Sequence, residues 1–264
     1  MSSFSSASAT KGIRLAYDVR GTGAPVLLIQ GLGYGRGGWG ALPRLLSERY
    51  AVVTFDNRGF GESEKPAGPY TTPLLAEDAL AVLDAAGLER AHVVGASLGG
   101  MVAQELALAH PQRVDKLVLV CTTPGGVGAF PMPERTVALL AQAQALDPLD
   151  ALRRFVANSL SSRAPTELVD EVFAYRVEHP PDADGWQAQL AAGTSHDALA
   201  RIGNLGVPTL VVHGTEDHVV DHRNALLLAE RIPGARLELV EDAGHLLFWE
   251  DAERIASLVT EFLA

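Results

Sequence analysis

Short apolar runs recur along this chain, separated by longer segments whose apolar positions fall three and four residues apart. The runs Val26–Gln30, Ala51–Phe55, Ala91–Val94, Leu117–Cys121, Thr209–His213 and Arg236–Val240 read as strands, most of them too continuously apolar to leave one face in water. An earlier run, Ile13–Val19, fits a hairpin strand at the start of the sheet. Helical spacing appears at Ala41–Glu48, at Leu74–Ala86 ending on Gly87, at Leu98–Ala109 ending before Pro111, at Arg223–Arg231 and at Ala252–Leu263. Strands that alternate with helices predict an α/β fold, a mainly parallel central sheet flanked by helices on both faces.

Between Pro124 and Asn204 the strand pattern stops, over a span too long for a plain connection. Asp147-Pro148 reads as an N-cap followed by proline at the first helical position, and Pro165 opens another helix that stops before Pro180-Pro181. The chain therefore divides into a core of residues 1–123 and 205–264 and an inserted, all-helical cap over 124–204. No internal repeat is visible.

A length of 264 residues, 47% hydrophobic and 20% charged, suits one globular core with such an insertion. The formal charge of −11, with no stripe of Lys or Arg, argues against nucleic-acid or anionic-membrane partners. Cys121 is the single cysteine, so no internal disulfide forms, and its apolar strand makes it a buried, inert thiol. Met1–Thr10 is rich in Ser and Ala without an apolar signal core, and no apolar run reaches spanning length; a cytoplasmic protein is expected.

The chemistry centres on Gly95-Ala96-Ser97-Leu98-Gly99, which follows an apolar run and opens a helix of small residues. A serine on a sharp strand-to-helix turn is strained but exposed to a ligand, and glycines two before and two after it relieve crowding. By itself the pattern is also that of an ordinary Gly-rich loop. A serine nucleophile needs a base, and the base a buried carboxylate to orient it. Asp217 follows the strand ending at His213, and His245 follows the strand ending at Val240, so both fall where open sheets place their sites. Glu216 and Asp221 are rival acids, the latter equally suited to capping the next helix. His213, His218 and His222 beside the acid could instead form a metal cluster, although no His-x-x-x-His pair with a third ligand supports it. His92 and His110 read as structural. The oxyanion requires two backbone donors, one after the nucleophile and one after an earlier strand. Leu98 N–H and Leu32 N–H, the latter in Gly31-Leu32-Gly33, fill these roles.

These stretches, with Asp56-Asn57-Arg58-Gly59-Phe60-Gly61-Glu62-Ser63 and Ala243-Gly244-His245 followed by Glu250, resemble the α/β-hydrolases with a helical cap, over nearly the whole chain. The likeness is nearest to small bacterial esterases and 3-oxoadipate enol-lactonases. It implies the chain order Ser, Asp, His, a cofactor-free serine hydrolase mechanism, and a small carboxylic ester or lactone as substrate. Many relatives have His-Gly where this chain has Gln30-Gly31, and Ser97 separates it from the dehalogenases and epoxide hydrolases that use aspartate. Thioester, peracid and carbon–carbon chemistry occur on the same fold, as do non-catalytic ligand receptors.

One rival comes from another class. Gly33-Tyr34-Gly35-Arg36-Gly37-Gly38 satisfies G-x-G-x-x-G after a strand, and Asp56 lies about 20 residues on, where a dinucleotide fold holds its ribose. Trp39 and Pro43 fit poorly where close helix packing is wanted. The cap supplies Phe130, Met132, Phe155, Phe173, Tyr175 and Trp186 as possible pocket walls, with Phe155 and Trp186 the first choices. Arg153, Arg154, Arg163 and Arg176 are available to a substrate carboxylate, and the sequence does not choose among them.

Overall fold

The computed structural model describes residues 5–8, 12–143 and 145–264. Eight strands form one sheet: β1 (Ser5–Ser8), β2 (Arg14–Arg20), β3 (Ala24–Ile29), β4 (Tyr50–Phe55), β5 (Ala91–Ala96), β6 (Val114–Val120), β7 (Thr209–Gly214) and β8 (Arg236–Val240). Their spatial order is β1-β2-β4-β3-β5-β6-β7-β8. β2 runs antiparallel to β1 and β4, and every other pairing is parallel.

The apolar runs are continuous because the sheet is covered twice. Successive strand residues alternate between two core layers. Leu27, Ile29, Val93, Leu117, Leu119 and Val211 face one side, where they meet α2 (Thr72–Ala85), α3 (Leu98–Ala109) and α8 (Arg223–Arg231). Val26, Leu28, Val94, Val118, Val120, Leu210 and Val212 face the other, against α1 (Leu42–Leu46) and α10 (Ala252–Leu263). Each such fully buried side chain contributes roughly 1.5–3 kcal/mol, more than an exposed ion pair does.

Between β6 and β7 lie four helices, α4 (Glu134–Ala143), α5 (Pro148–Asn158), α6 (Thr166–Glu178) and α7 (Ala183–Thr194). Asp147 caps α5, accepting from Leu149 N at 2.9 Å, and α6 stops at His179 ahead of Pro180, as the proline pattern predicts. The segment closes on itself: Gly125 and Asp197 form an antiparallel bridge, and Ala198 N donates to Pro124 O at 2.8 Å. It thus leaves and re-enters the core at one place, beside the carboxyl ends of β5, β6 and β7. A short α9 (Leu247–Glu250) follows β8.

Two helices of the core have bounds that differ from the sequence reading. The first helix is shorter than Ala41–Glu48 because Ala41 offers no side-chain cap, and the Ser47 hydroxyl turns back to Arg44 O at 2.7 Å where the helix ends. α2 begins two residues early, since the Thr71 hydroxyl accepts from Leu74 N at 3.2 Å and Pro73 sits in the first turn. No helix among the described residues is long and apolar enough to cross a membrane.

Candidate active site

Ser97 joins β5 to α3 with φ 55° and ψ −120°, a left-handed backbone that a serine adopts only under constraint. The constraint is visible. Ser97 N donates to Val120 O at 2.9 Å, and its carbonyl accepts from Thr122 Oγ1 at 2.7 Å and from Gly100 N at 2.9 Å. The flanking glycines are required by space: a β-carbon on Gly99 would overlap the Ile29 carbonyl, and one on Gly95 would overlap the Gly99 backbone. The sharp turn therefore exists because β3 and α3 approach within glycine distance. Ser97 itself stays half-exposed.

Asp217 and His245, 28 residues apart, meet because the loops after β7 and β8 are stitched together. Glu216 N donates to Ala243 O at 2.9 Å, Thr215 N to Val240 O at 3.0 Å, and Asp242 N to Thr215 Oγ1 at 2.9 Å. Glu250 Oε1 holds the histidine segment from the other side, accepting from Gly244 N at 3.0 Å and Ser161 N at 2.8 Å. His245 Nδ1 then donates to Asp217 Oδ2 at 2.7 Å, which leaves the Nε2 lone pair for a proton. Asp217 Oδ1 accepts from Val219 N and Val220 N at 2.8 and 2.9 Å. Burial would raise the Asp217 pKa, but the His245 charge and hydrogen bonds from His213 and His245 outweigh it and hold the carboxyl well below the usual range.

The rival acids are engaged elsewhere. Glu216 accepts from Ser162 N and Oγ at 2.7 and 3.1 Å, and Asp221 pairs with Arg223 at 2.5 Å. Of the histidines once grouped with the acid, only His213 joins it. Its Nε2 lies 2.9 Å from Asp217 Oδ2 and 3.0 Å from Val220 O, both acceptors, so Nε2 carries the proton. Cys121, His213 and Asp217 bring donor atoms within 4.8 Å of one another, and all three are buried. Burial pushes the Cys121 thiol up, keeping it protonated, in line with an inert role. The contact from His213 to the acid was not anticipated; an apolar strand ending in His-Gly four residues before the acid was the available signal.

The loop after β3 lies directly over the nucleophile, because a β-carbon on Gly31 would sit 3.0 Å from Ser97 Cβ and 3.6 Å from its Oγ. Among the described residues, neither Leu32 N–H nor Leu98 N–H donates to another group of the chain. Gln30 Oε1 accepts from Gly31 N at 2.7 Å, which gives Gln30 a local role in shaping this loop. Asp56 anchors the loop's far end: it accepts from Arg36 N at 2.7 Å and Glu62 N at 3.0 Å and pairs with the Arg36 guanidinium. The G-x-G-x-x-G stretch of residues 33–38 opens only a 3-10 turn, Arg36–Trp39. The turn occupies Asp56, so the dinucleotide reading loses its ribose ligand.

The helical segment between β6 and β7 reaches this loop through α7. Gln189 Oε1 accepts from Gly33 N at 3.2 Å while its Nε2 donates to Arg58 O at 2.8 Å. Trp186 stands beside it, its Cδ1 3.0 Å from where a Gly33 β-carbon would lie. Phe155 is half-buried on α5. Phe130 is tied elsewhere, to Asn224 through N and O at 2.9 and 3.0 Å and under the Arg223 guanidinium at 4.4 Å.

Comparison with known proteins identifies the fold family. The chain is 34% identical over 268 residues to 2-hydroxymuconate semialdehyde hydrolase of Pseudomonas sp. CF600, covering 96% of this chain and 91% of that one. Its structure is similar to that of the enol-lactonase of Burkholderia xenovorans LB400, with TM-score 0.85, 28% identity and 98% and 99% of the two chains covered. It is also similar to an esterase of Exiguobacterium antarcticum, with TM-score 0.86, 26% identity and all of both chains covered, 100% and 100%. The family described as alpha/beta hydrolase fold matches residues 24–252, most of the chain, which therefore belongs to the α/β-hydrolase fold family and is a hydrolase of that fold.

Proposed function

We propose that the protein hydrolyses carboxylic esters or lactones through an acyl-enzyme on Ser97. The feature that carries this reading is the Asp217–His245 pair in the loops after β7 and β8, at the same end of the parallel sheet as the strained turn of Ser97 after β5 and the Gly31–Leu32 loop over it. Ser97 Oγ attacks the carbonyl carbon while His245 Nε2 takes its proton, and Asp217 keeps the imidazole in the Nδ1–H tautomer and stabilises the imidazolium. The oxyanion accepts from the Leu32 and Leu98 amides. Collapse expels the alcohol, or opens the lactone ring, with the proton returned by His245. Water, deprotonated by the same imidazole, then releases the acid. Nothing in these steps calls for a cofactor. The segment 124–204 acts as the cap that shapes the pocket, and Trp186 and Phe155 are proposed to face the substrate.

A hydrolysis screen of chain-length esters and lactones, with Ser97→Ala as control, tests the reading. Turnover well above background that disappears in the variant is expected, and a fluorophosphonate should label the protein once, at Ser97. Labelling at another serine, or ester turnover that survives in Ser97→Ala, would refute it. A second reading, hydrolysis of a carbon–carbon bond, is favoured by the identity to a semialdehyde hydrolase. Turnover of a ring-fission product with none of any ester or lactone would select it.

A further inference from the structure

The helical segment between β6 and β7 lays one glutamine against the loop that covers Ser97. α7 buries Gly185, Ala188, Gln189 and Ala192, a face of small residues with a single long side chain. A β-carbon on Gly185 would stand 2.1 Å from the Gly59 carbonyl oxygen, so the helix backbone rests on the loop after β4. Gln189 follows Gly185 by four residues, about one helical turn, and shares that face. It is 1% exposed. A buried primary amide is costly unless its groups are hydrogen-bonded, and methionine would fill a similar space without polar atoms. Packing alone therefore does not call for glutamine. Its Oε1 accepts from Gly33 N at 3.2 Å and its Nε2 donates to Arg58 O at 2.8 Å, while the Arg58 guanidinium is itself held by buried Asp78.

A second buried glutamine, Gln30, holds the start of the same loop. Its Oε1 accepts from Gly31 N at 2.7 Å, and its own carbonyl accepts from Asn57 Nδ2 at 3.0 Å. Gly31 N thus goes to Gln30, Gly33 N to Gln189, and Tyr34 N to Gly31 O at 3.3 Å. Among the described residues, Leu32 N–H, between the two held amides, donates to no group of the chain. In a trans peptide the C=O and N–H point in opposite directions. The Gly31 carbonyl is drawn into the turn by Tyr34 N, so the Leu32 N–H is directed out of it. Gly33, at φ 68°, has the backbone freedom to let the next peptide rotate, and the bond to Gln189 removes that freedom.

We infer that Gln30 and Gln189 are positioning residues for the oxyanion: their side-chain carbonyls clamp the turn on both sides of Leu32, so that its amide is aligned only when α7 is seated on the core. This rests on the reading of Ser97 as nucleophile and of the Leu32 amide as an oxyanion donor. An amide fixed before the reaction needs no reorganisation as charge develops, whereas one on a loose glycine turn does. Each glutamine acts through the turn. Losing one slows the reaction of Ser97 without removing any reacting group.

The test measures kcat and KM on para-nitrophenyl butyrate together with inhibition by phenethyl trifluoromethyl ketone, which forms a tetrahedral oxyanion adduct on a reactive serine. Deleting one oxyanion donor outright costs about 10²–10³ in kcat, so loosening one in Gln189→Met or Gln30→Met should cost about tenfold or more, with KM little changed. Affinity for the ketone should fall by the same factor. Gln189→Glu and Gln30→Glu, which keep an acceptor for the glycine amide, should recover much of both. A role in stability alone would lower the melting temperature and leave kcat per folded molecule and ketone affinity unmoved, which overturns the proposal.

Amide exchange of Gly33, read by NMR in glycine-labelled Ser97→Ala protein, needs no turnover and separates the clamp from the catalytic reading. It should speed up by about tenfold or more in Ser97→Ala/Gln189→Met. Unchanged exchange overturns the clamp. Faster exchange in the variant, in a protein whose wild type turns over no ester and binds no ketone, would uphold the clamp on the turn and count against Ser97 instead.

Discussion

His213 Nε2 lies 2.9 Å from Asp217 Oδ2, the same oxygen that His245 Nδ1 reaches at 2.7 Å, so one carboxylate oxygen serves two imidazoles. His213 is fully buried, and its protonated Nε2 also faces Val220 O. It therefore fixes the position of the acid and takes up part of its charge. Replacing it with phenylalanine should leave Asp217 with less stabilisation and a stronger hold on the His245 proton. The expected result is a loss of roughly tenfold in kcat, in keeping with a hydrogen bond to a charged group, together with an acid limb of the kcat/KM profile moved to higher pH. His213→Gln, which keeps a donor, should restore much of both. A His213→Phe enzyme that is merely less stable, with an unmoved pH profile, would make the residue structural.

The acid itself can be separated from its neighbours. Asp217→Asn should lower turnover by on the order of 10³–10⁴ with folding nearly intact, since the imidazole loses the group that sets its tautomer. Glu216→Gln and Asp221→Asn should be mild, because one carboxylate holds Ser162 and the other Arg223. Initial rates on a responsive ester, with thermal melts as the folding control, decide this; a crippling Asp221→Asn would move the acid elsewhere.

The sheet was readable because strands covered on both faces are written as unbroken apolar runs, and Asp217 and His245 because each follows such a run. β1 was not, since Ser-Ser-Ala-Ser carries no apolar pattern and pairs with β2 through its backbone. α7 escaped for a different reason. It packs through small residues, with Gly185 against Gly59, and close backbone contact leaves no periodic stripe of large side chains. Sequence placed His213 beside the acid but could not orient it. Whether an imidazole next to a carboxylate binds it, binds a metal or faces water depends on loop geometry alone.

Acid should destabilise the fold earlier than its carboxylates require, because of His196. This residue is 4% exposed, with Nδ1 2.9 Å from Thr72 Oγ1 and 3.5 Å from Glu105, which also pairs with Arg201. Burial, outweighing attraction to Glu105, pushes its pKa down to about 4. An unfolded chain protonates the same imidazole near pH 6.5, so the unfolded state binds the extra proton between about 6.5 and 4. Stability from this group is complete above that window and declines as pH falls through it, by an amount on the order of 3 kcal/mol. Asp217, whose pKa is depressed, adds stability that is lost only further down in pH. Urea unfolding at pH 7 and pH 5 should show the decline, and His196→Gln should flatten it. An equal slope in the variant would place the sensitive group elsewhere.

Selectivity should follow the cap while reactivity follows the strand ends. Trp186 borders Gly33, next to Leu32 in the loop over Ser97, which makes its indole the first proposed pocket wall. Phe155, half-buried on α5, is the second choice. One methylene in an apolar pocket discriminates by about 10-fold or more, so Trp186→Ala should shift the ranking of esters by chain length by at least that factor. Phe155→Ala should shift it less. Fluorophosphonate labelling of Ser97 should persist in both, because Ser97, His245 and the Leu32 and Leu98 amides all lie outside residues 124–204. The two measurements must separate. If cap substitutions abolish labelling in a folded protein, α7 is part of the reactive machinery through Gln189 and Gly33. If they leave the ester ranking unchanged, the pocket wall is built by the core.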